Sequence, residues 1–223
     1  MAINLKSTKD WILNFLNMLV YGVAGGGKTT LITTLPNPII LSAEGGLLSI
    51  AEHDIPFIEV TSMDDLREAY KWLLDSEEAK QFESVALDSI SEIGEVCLSR
   101  EKSIARDPRQ AYGEMQTTMS ELIRSFRDLP KHVLMTAKLE KAQDEMGRML
   151  YSPSMPGNKL GQSLPYFFDL VLALRVEKDE QSVHRGLMTA SDGLWEAKDR
   201  SGKLDPWMAP DLGLILKKLG GNK

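Results

Sequence analysis

Gly22-Val23-Ala24-Gly25-Gly26-Gly27-Lys28-Thr29 satisfies the pattern G-x-x-x-x-G-K-[ST] at every fixed position. Its surroundings suit that pattern. The apolar run Met18-Leu19-Val20-Tyr21 before it reads as a buried strand, and Thr29-Thr30-Leu31-Ile32 after it as the start of a helix. In a strand–loop–helix unit of this kind the glycines let the backbone wrap until successive N–H groups point inward, a concavity suited to phosphate oxygens. Gly22, Val23, Ala24, Gly25, Gly26, Gly27, Lys28, Thr29 and Thr30 are therefore the candidate nucleotide-binding residues. Lys28 would reach the β- and γ-phosphates of ATP, and the Thr29 hydroxyl would ligate Mg²⁺.

Strands and helices alternate beyond the loop. Ile39-Ile40-Leu41, Phe57-Ile58-Glu59-Val60, Val85-Ala86-Leu87 and Val133-Leu134-Met135-Thr136 are short apolar runs of the buried-strand type. Between them, Leu66, Ala69, Tyr70, Leu73 and Leu74 keep helical spacing after a cap at Thr61-Ser62. A second helix is expected from about Ser91 to Ser103, then a break at Ala105 to Arg109. Met115, Met119, Leu122, Ile123, Phe126 and Leu129 mark the inner face of a third. This alternation predicts a three-layer α/β core with a mostly parallel central sheet. Late strands at Phe168 to Val176, Gly186 to Ala190 and Leu194 to Lys198 predict a C-terminal hairpin, before a closing helix from Leu212 to Leu219. Residues 139–163 lack periodicity and read as a long loop, functional or disordered. One domain over residues 1–223 is expected. Its N-terminal segment, residues 1–15, holds a capping box at Ser7-Thr8-Lys9-Asp10, and Ile3 to Trp11 either docks on a neighbouring subunit or caps its own core.

The chain has 223 residues, ordinary hydrophobic (43%) and charged (26%) content, and a net charge of −6, which argues against a duplex-coating basic surface. Residues 100–160 are the exception, at +3 against −9 for the remainder, so a polyanion site belongs in the middle third unless that segment is simply a solvated mixed-charge surface. No apolar run approaches the roughly 20 residues that span a bilayer, and no membrane partner is expected. The N-terminus lacks the apolar stretch of a signal peptide, and the single Cys97 fits a reducing, cytoplasmic compartment. His53, His132 and His184 have no metal-ligand spacing.

Two carboxylates stand at strand ends. Asp88, after Val85-Ala86-Leu87, can hold the Mg²⁺ shell through water, or else cap the helix that follows Ser89. Glu44 follows Ile39 to Ala43 and precedes Gly45-Gly46, where a carboxylate can polarise a water opposite a γ-phosphate; the alternative is a solvated loop residue or a helix-start acid.

The order Gly22 to Thr29, then Ser42-Ala43-Glu44-Gly45-Gly46, then Val85-Ala86-Leu87-Asp88-Ser89 resembles the RecA-type recombinase core. Within that group it is similar to the compact ATP-binding proteins of bacteriophages, some of which anneal single strands; Glu196-Ala197-Lys198-Asp199-Arg200 is similar to the same set. The resemblance covers most of residues 16–200. It implies Glu44 as the hydrolytic carboxylate, and Lys198 and Arg200 as cations that reach a neighbouring subunit's γ-phosphate. The alternative for that pair is a self-paired surface cluster, Lys198-Asp199-Arg200. A first DNA loop is implied at about Lys102–Ala111, with Arg106 and Arg109, and a second at about Lys141–Gly161, with Lys141, Arg148, Tyr151 and Lys159. Cations for phosphates and a flat ring for stacking are what single strands require, although Tyr151 packing back on the core would serve equally well as an explanation. Two departures stand out. Thr136-Ala137-Lys138 occupies the place of the family's polar amide, and fewer than thirty residues flank the core on either side, too few for separate DNA-binding domains.

The implied function is a Mg-ATP-dependent, single-stranded-DNA-binding annealing or recombination ATPase that forms oligomers or filaments in the cytoplasm, that of a bacterial host if phage-encoded. A single-strand-binding protein is a further candidate partner. The rivals are a P-loop small-molecule kinase, with residues 139–163 as its lid, and an accessory or loader ATPase acting on a protein.

Overall fold

The computed structural model describes residues 15–178 and 182–220; the expected capping box at Ser7 and the segment Ile3 to Trp11 lie outside them. The strands are β1 (Asn17–Gly22), β2 (Pro38–Ser42), β3 (Phe57–Glu59), β4 (Ser84–Asp88), β5 (His132–Gln143), β6 (Met149–Pro153), β7 (Leu170–Lys178), β8 (Val183–Met188), β9 (Lys198–Asp199) and β10 (Trp207–Met208). They form one sheet in the order β10-β8-β7-β1-β5-β4-β2-β3, with β6 added to β5 and β9 to β7. From β7 to β3 every neighbouring pair is parallel. The pairings of β6, β8, β9 and β10 are antiparallel. The three-layer core and the antiparallel C-terminal hairpin (β7 with β8) match the sequence expectation.

Alternation of side chains explains why the core strands read as unbroken apolar runs. Leu19, Tyr21, Leu41, Val85, Leu87 and Met135 face one core cluster, which receives α2 (Met63–Asp75), α3 (Ile90–Ile104) and α4 (Pro108–Arg127). Met18, Val20, Ile40, Ala86, Leu134 and Leu172 face the other, filled from α1 (Lys28–Leu31) and α6 (Leu212–Leu219). A parallel sheet covered on both faces leaves no polar side to alternate. The cap at Ser62 is a full capping box with Asp65, worth about 1 kcal/mol of helix stability.

Three expectations are corrected. Lys102–Ala111 is not a loop: α3 runs to Ile104 and α4 starts at Pro108 with Asp107 as its cap, so only Ala105, Arg106 and Asp107 are non-helical. Proline at the first helical position costs nothing, because its missing N–H is unpaired there anyway. Residues 139–163 are not structureless either. β5 continues to Gln143, turns over Asp144 to Gly147, returns as β6 and enters a short helix, α5 (Asn158–Ser163). Most side chains in the outer half of this hairpin are exposed, so no hydrophobic period marks it. Leu194 to Lys198 is not a strand: Asp192 accepts the N–H groups of Leu194 and Trp195 in a tight turn, and only Lys198–Asp199 pairs with β7.

Gly22 closes β1 where β7 lies close beside it. A Cβ there would lie 2.8 Å from the Leu174 carbonyl oxygen of β7, a backbone atom that cannot swing aside. Gly22→Ala should therefore destabilise the protein by about 1–3 kcal/mol, read from the urea midpoint at unchanged m.

Candidate active site

The loop between Gly22 and Lys28 crowns the edge of the sheet where the parallel strands end. Gly27 takes φ 106°, in the left-handed region that favours glycine. Helix α1 has only four residues before it tightens into the 3-10 turn Ile32–Thr34. A helix that short has a small macrodipole, so backbone N–H groups of the loop would have to provide most of the attraction for phosphate. The Lys28 ammonium donates to the carbonyls of Gly22 (3.0 Å) and Val23 (3.1 Å). Burial holds its pKa below the ordinary lysine value, against the opposing pull of Glu44 and Asp88.

Asp88 ends β4, buried, and accepts from two hydroxyls: Thr29 Oγ1 at 2.8 Å on one oxygen and Thr136 Oγ1 on the other. It does not cap α3. Ser89 does, accepting the Glu92 N–H at 3.3 Å. Thr29 and Asp88 thus put a hydroxyl and a carboxylate side by side, a hard-oxygen pair that fits Mg²⁺. Among the described residues no cluster of three or more His, Cys, Asp or Glu could hold a metal. The ion would therefore depend on phosphate oxygens and water for its remaining ligands, as Mg²⁺ ordinarily does. When bound there it supplies positive charge to the β- and γ-phosphate oxygens.

Glu44 stands at the cavity rim beyond β2. Its Oε1 accepts from Ser89 Oγ at 2.5 Å and lies 3.7 Å from the Lys138 ammonium. Lys138 is bound more closely to Glu92, at 2.6 Å, and that hydrogen bond holds its pKa above the ordinary lysine value. The Glu44 carboxylate is thus oriented by a hydroxyl and a permanent cation while remaining open to the cavity. That cavity measures about 1130 Å³ and is lined by the whole loop together with Glu44, Asp88, Lys138, Lys141 and Arg185.

The structure brings the loop, Glu44 and Asp88 together as the sequence suggested. Lys198 and Arg200 lie elsewhere. Lys198 is level with Val171 on β7, whereas Gly22 is level with Leu174, so Lys198 sits three residues, about 10 Å, toward the opposite end of the strands, and Arg200, whose N–H donates to the Asp169 carbonyl, lies further still. Lys198 Nζ donates to the Pro165 carbonyl at 2.6 Å, and Arg200 pairs with Asp169 at 2.7 Å. Neither touches its own chain's phosphate loop.

The six candidate DNA contacts divide into two groups. Arg106 lies in the α3–α4 junction, Arg109 in the first turn of α4 and Lys159 on α5, all exposed. Lys141, Arg148 and Tyr151 belong to the hairpin of β5 and β6. Lys141 borders the nucleotide cavity, Arg148 is paired with Asp144 at 2.7 Å, and the Tyr151 ring stacks on Trp195 with centroids 4.2 Å apart. The ring of Tyr151 is packed back on the protein.

Four participants escaped sequence reasoning in these roles: Ser89, Thr136, Lys138 and Arg185. Ser89 directly follows Asp88, and Thr136 and Lys138 follow the apolar run Val133-Leu134-Met135, so a signal was available for these three. Arg185 reaches Gly26 only through the register of β8 on β7, which no local pattern reveals.

Residues 14–201 match the family described as AAA domain. The chain belongs to that family. It is an AAA-type P-loop ATPase domain, and the nucleotide loop, the strand-end carboxylates and the covered parallel sheet are the parts expected of one. The chain is also similar to the crystal structure of a KaiC-like protein from the hyperthermophilic archaeon Pyrococcus horikoshii OT3, at 14% identity and a TM-score of 0.42, over 78% of this chain and 77% of that one. No curated protein matches the sequence. Among the described residues of this AAA domain, no helix is long and apolar enough to cross a membrane.

Proposed function

We propose that this AAA-domain ATPase hydrolyses Mg-ATP as an oligomer or filament on single-stranded DNA and promotes annealing or strand pairing. ATP favours the assembled, DNA-holding form, and Glu44-assisted hydrolysis releases it. The observation that carries the DNA reading is the corner where α3, α4 and α5 meet. Lys102 lies over the Tyr112 ring, 5.3 Å from its centroid, and Tyr112 remains 37% exposed. A Cβ at Gly157, just before α5, would lie 3.3 Å from that ring, which brings Lys159 to the same corner as Arg106 and Arg109. Cations beside a flat ring suit a strand whose phosphates and bases are both accessible. Helix α3 starts at Ser89's cap, beside Glu44, and ends at this corner, so one rigid element connects the two sites.

The test is ATPase rate and sedimentation with and without single-stranded DNA, repeated for Arg106→Ala/Arg109→Ala/Lys159→Ala. DNA should stimulate hydrolysis and shift the wild type into larger assemblies. The triple variant should keep its ATP affinity, and the salt dependence of its DNA binding should be shallower by about 2 in log–log slope, at about 0.7 per lost phosphate contact. If DNA neither stimulates nor assembles the wild type, the reading fails.

One feature favours a loader ATPase acting on a protein instead. Met146, at the hairpin tip, is 83% exposed, and Met149 beside it is 40% exposed. Flexible methionines at a projecting tip suit adaptable protein contacts.

A further inference from the structure

We infer that Arg185, on β8, holds the nucleoside end of the bound nucleotide by laying its guanidinium against the base. This rests on the ATP-site reading and adds the residue that distinguishes a nucleoside triphosphate from bare polyphosphate.

Sheet order supplies direction. Glu44 follows β2 and Asp88 ends β4, both on one side of β1, whereas β8 lies on the other side, beyond β7. Between β8 and β2 are five strand spacings, roughly 24 Å, with the phosphate loop in between. If the γ-phosphate faces Glu44 and Asp88, the nucleoside must extend toward β8.

Arg185 is placed to meet it. It is level with Val176 on β7, two residues past the Leu174–Gly22 level, so it stands at the edge of the sheet that carries the loop. Leu187, two residues on, belongs to the core cluster shared with α1 and α6, so Arg185 faces the same side. Its Nε donates to the Gly26 carbonyl at 3.1 Å, and that nitrogen lies 3.6 Å from where a Cβ on Gly27 would be. Among the described residues its terminal nitrogens make no hydrogen bond or ion pair. One bond to the loop thus orients the guanidinium plane while a face and four N–H groups remain available to the cavity. Pro210, just before α6, lines that cavity as well, with Thr33 and Thr34 beneath it. A planar cation with one anchored edge is suited to stack on a purine, an interaction worth more to arginine than to lysine.

Calorimetric titration of Mg-ATP and of Mg-tripolyphosphate against wild type, Arg185→Ala and Arg185→Lys tests this. Arg185→Ala should raise the Kd for ATP by about tenfold and leave that for tripolyphosphate unchanged; Arg185→Lys should recover little of the loss. Equal losses on both ligands would make Arg185 a phosphate contact and overturn the inference, as would no loss on either. The tripolyphosphate titration also reports that each variant is folded. If wild type binds neither ligand, the ATP-site reading falls and takes this inference with it.

Discussion

Glu44→Gln should lower kcat for ATP hydrolysis by about 10²–10⁴ while leaving the Kd for ATP within about threefold. Glutamine preserves the size of the side chain and its ability to accept from Ser89, so the rim of the cavity keeps its shape. What it loses is the basic oxygen that, on the proposed reading, would take a proton from attacking water. Removing this carboxylate also frees Lys138 from one of its two acidic neighbours, and Glu92, at 2.6 Å, retains it. A parallel loss of kcat and of ATP affinity would mean that Glu44 positions the nucleotide instead. Phosphate-release kinetics and equilibrium titration on the same protein separate the two cases.

The second large effect requires two proteins. Arg200→Ala and Glu44→Gln should each be nearly inactive alone, and an equimolar mixture should recover up to about a quarter of wild-type activity. The fraction follows from geometry. If a site takes Glu44 from one subunit and Arg200 from the next, half of the subunits are intact on each side, and the two chances multiply. The distance of Arg200 from its own loop is the reason to expect sharing. Arg200 also pairs with Asp169, so its removal has a local structural cost. Complementation discriminates, because a merely misfolded subunit cannot restore its partner. A mixture as inactive as its components would exclude the shared site and leave Lys198-Asp199-Arg200 as a surface cluster.

The fold was legible where burial imposes a pattern. Strands β1, β2, β4 and β5 announce themselves because both of their faces are covered, and α2 and α4 because one face is. Legibility failed where side chains meet solvent: the outer half of β5 and β6 has no apolar rhythm, although Asp144 and Gly147 mark the turn between them. In the site, residues within the phosphate loop and at strand ends could be found because the chemistry there demands particular types at particular spacings. Arg185 could not be assigned. Its role arises from which strands become neighbours, and nothing local to the residue encodes that. The segment implied as a second DNA loop folds, for a related reason, as a hairpin that turns Lys141 toward the nucleotide cavity and stacks Tyr151 on Trp195.

Strand β5 joins two regions of unequal stability. Its first six residues are buried in the sheet and most of its last six are exposed. Local opening of the outer half uncovers little apolar surface and so costs far less than unfolding the domain. Thr136, bonded to Asp88, stays on the protected side of that boundary, and Lys138 sits on it. The hairpin can therefore fray and re-form around whatever it contacts without disturbing Asp88, while the boundary of that opening lies at the cation beside Glu44.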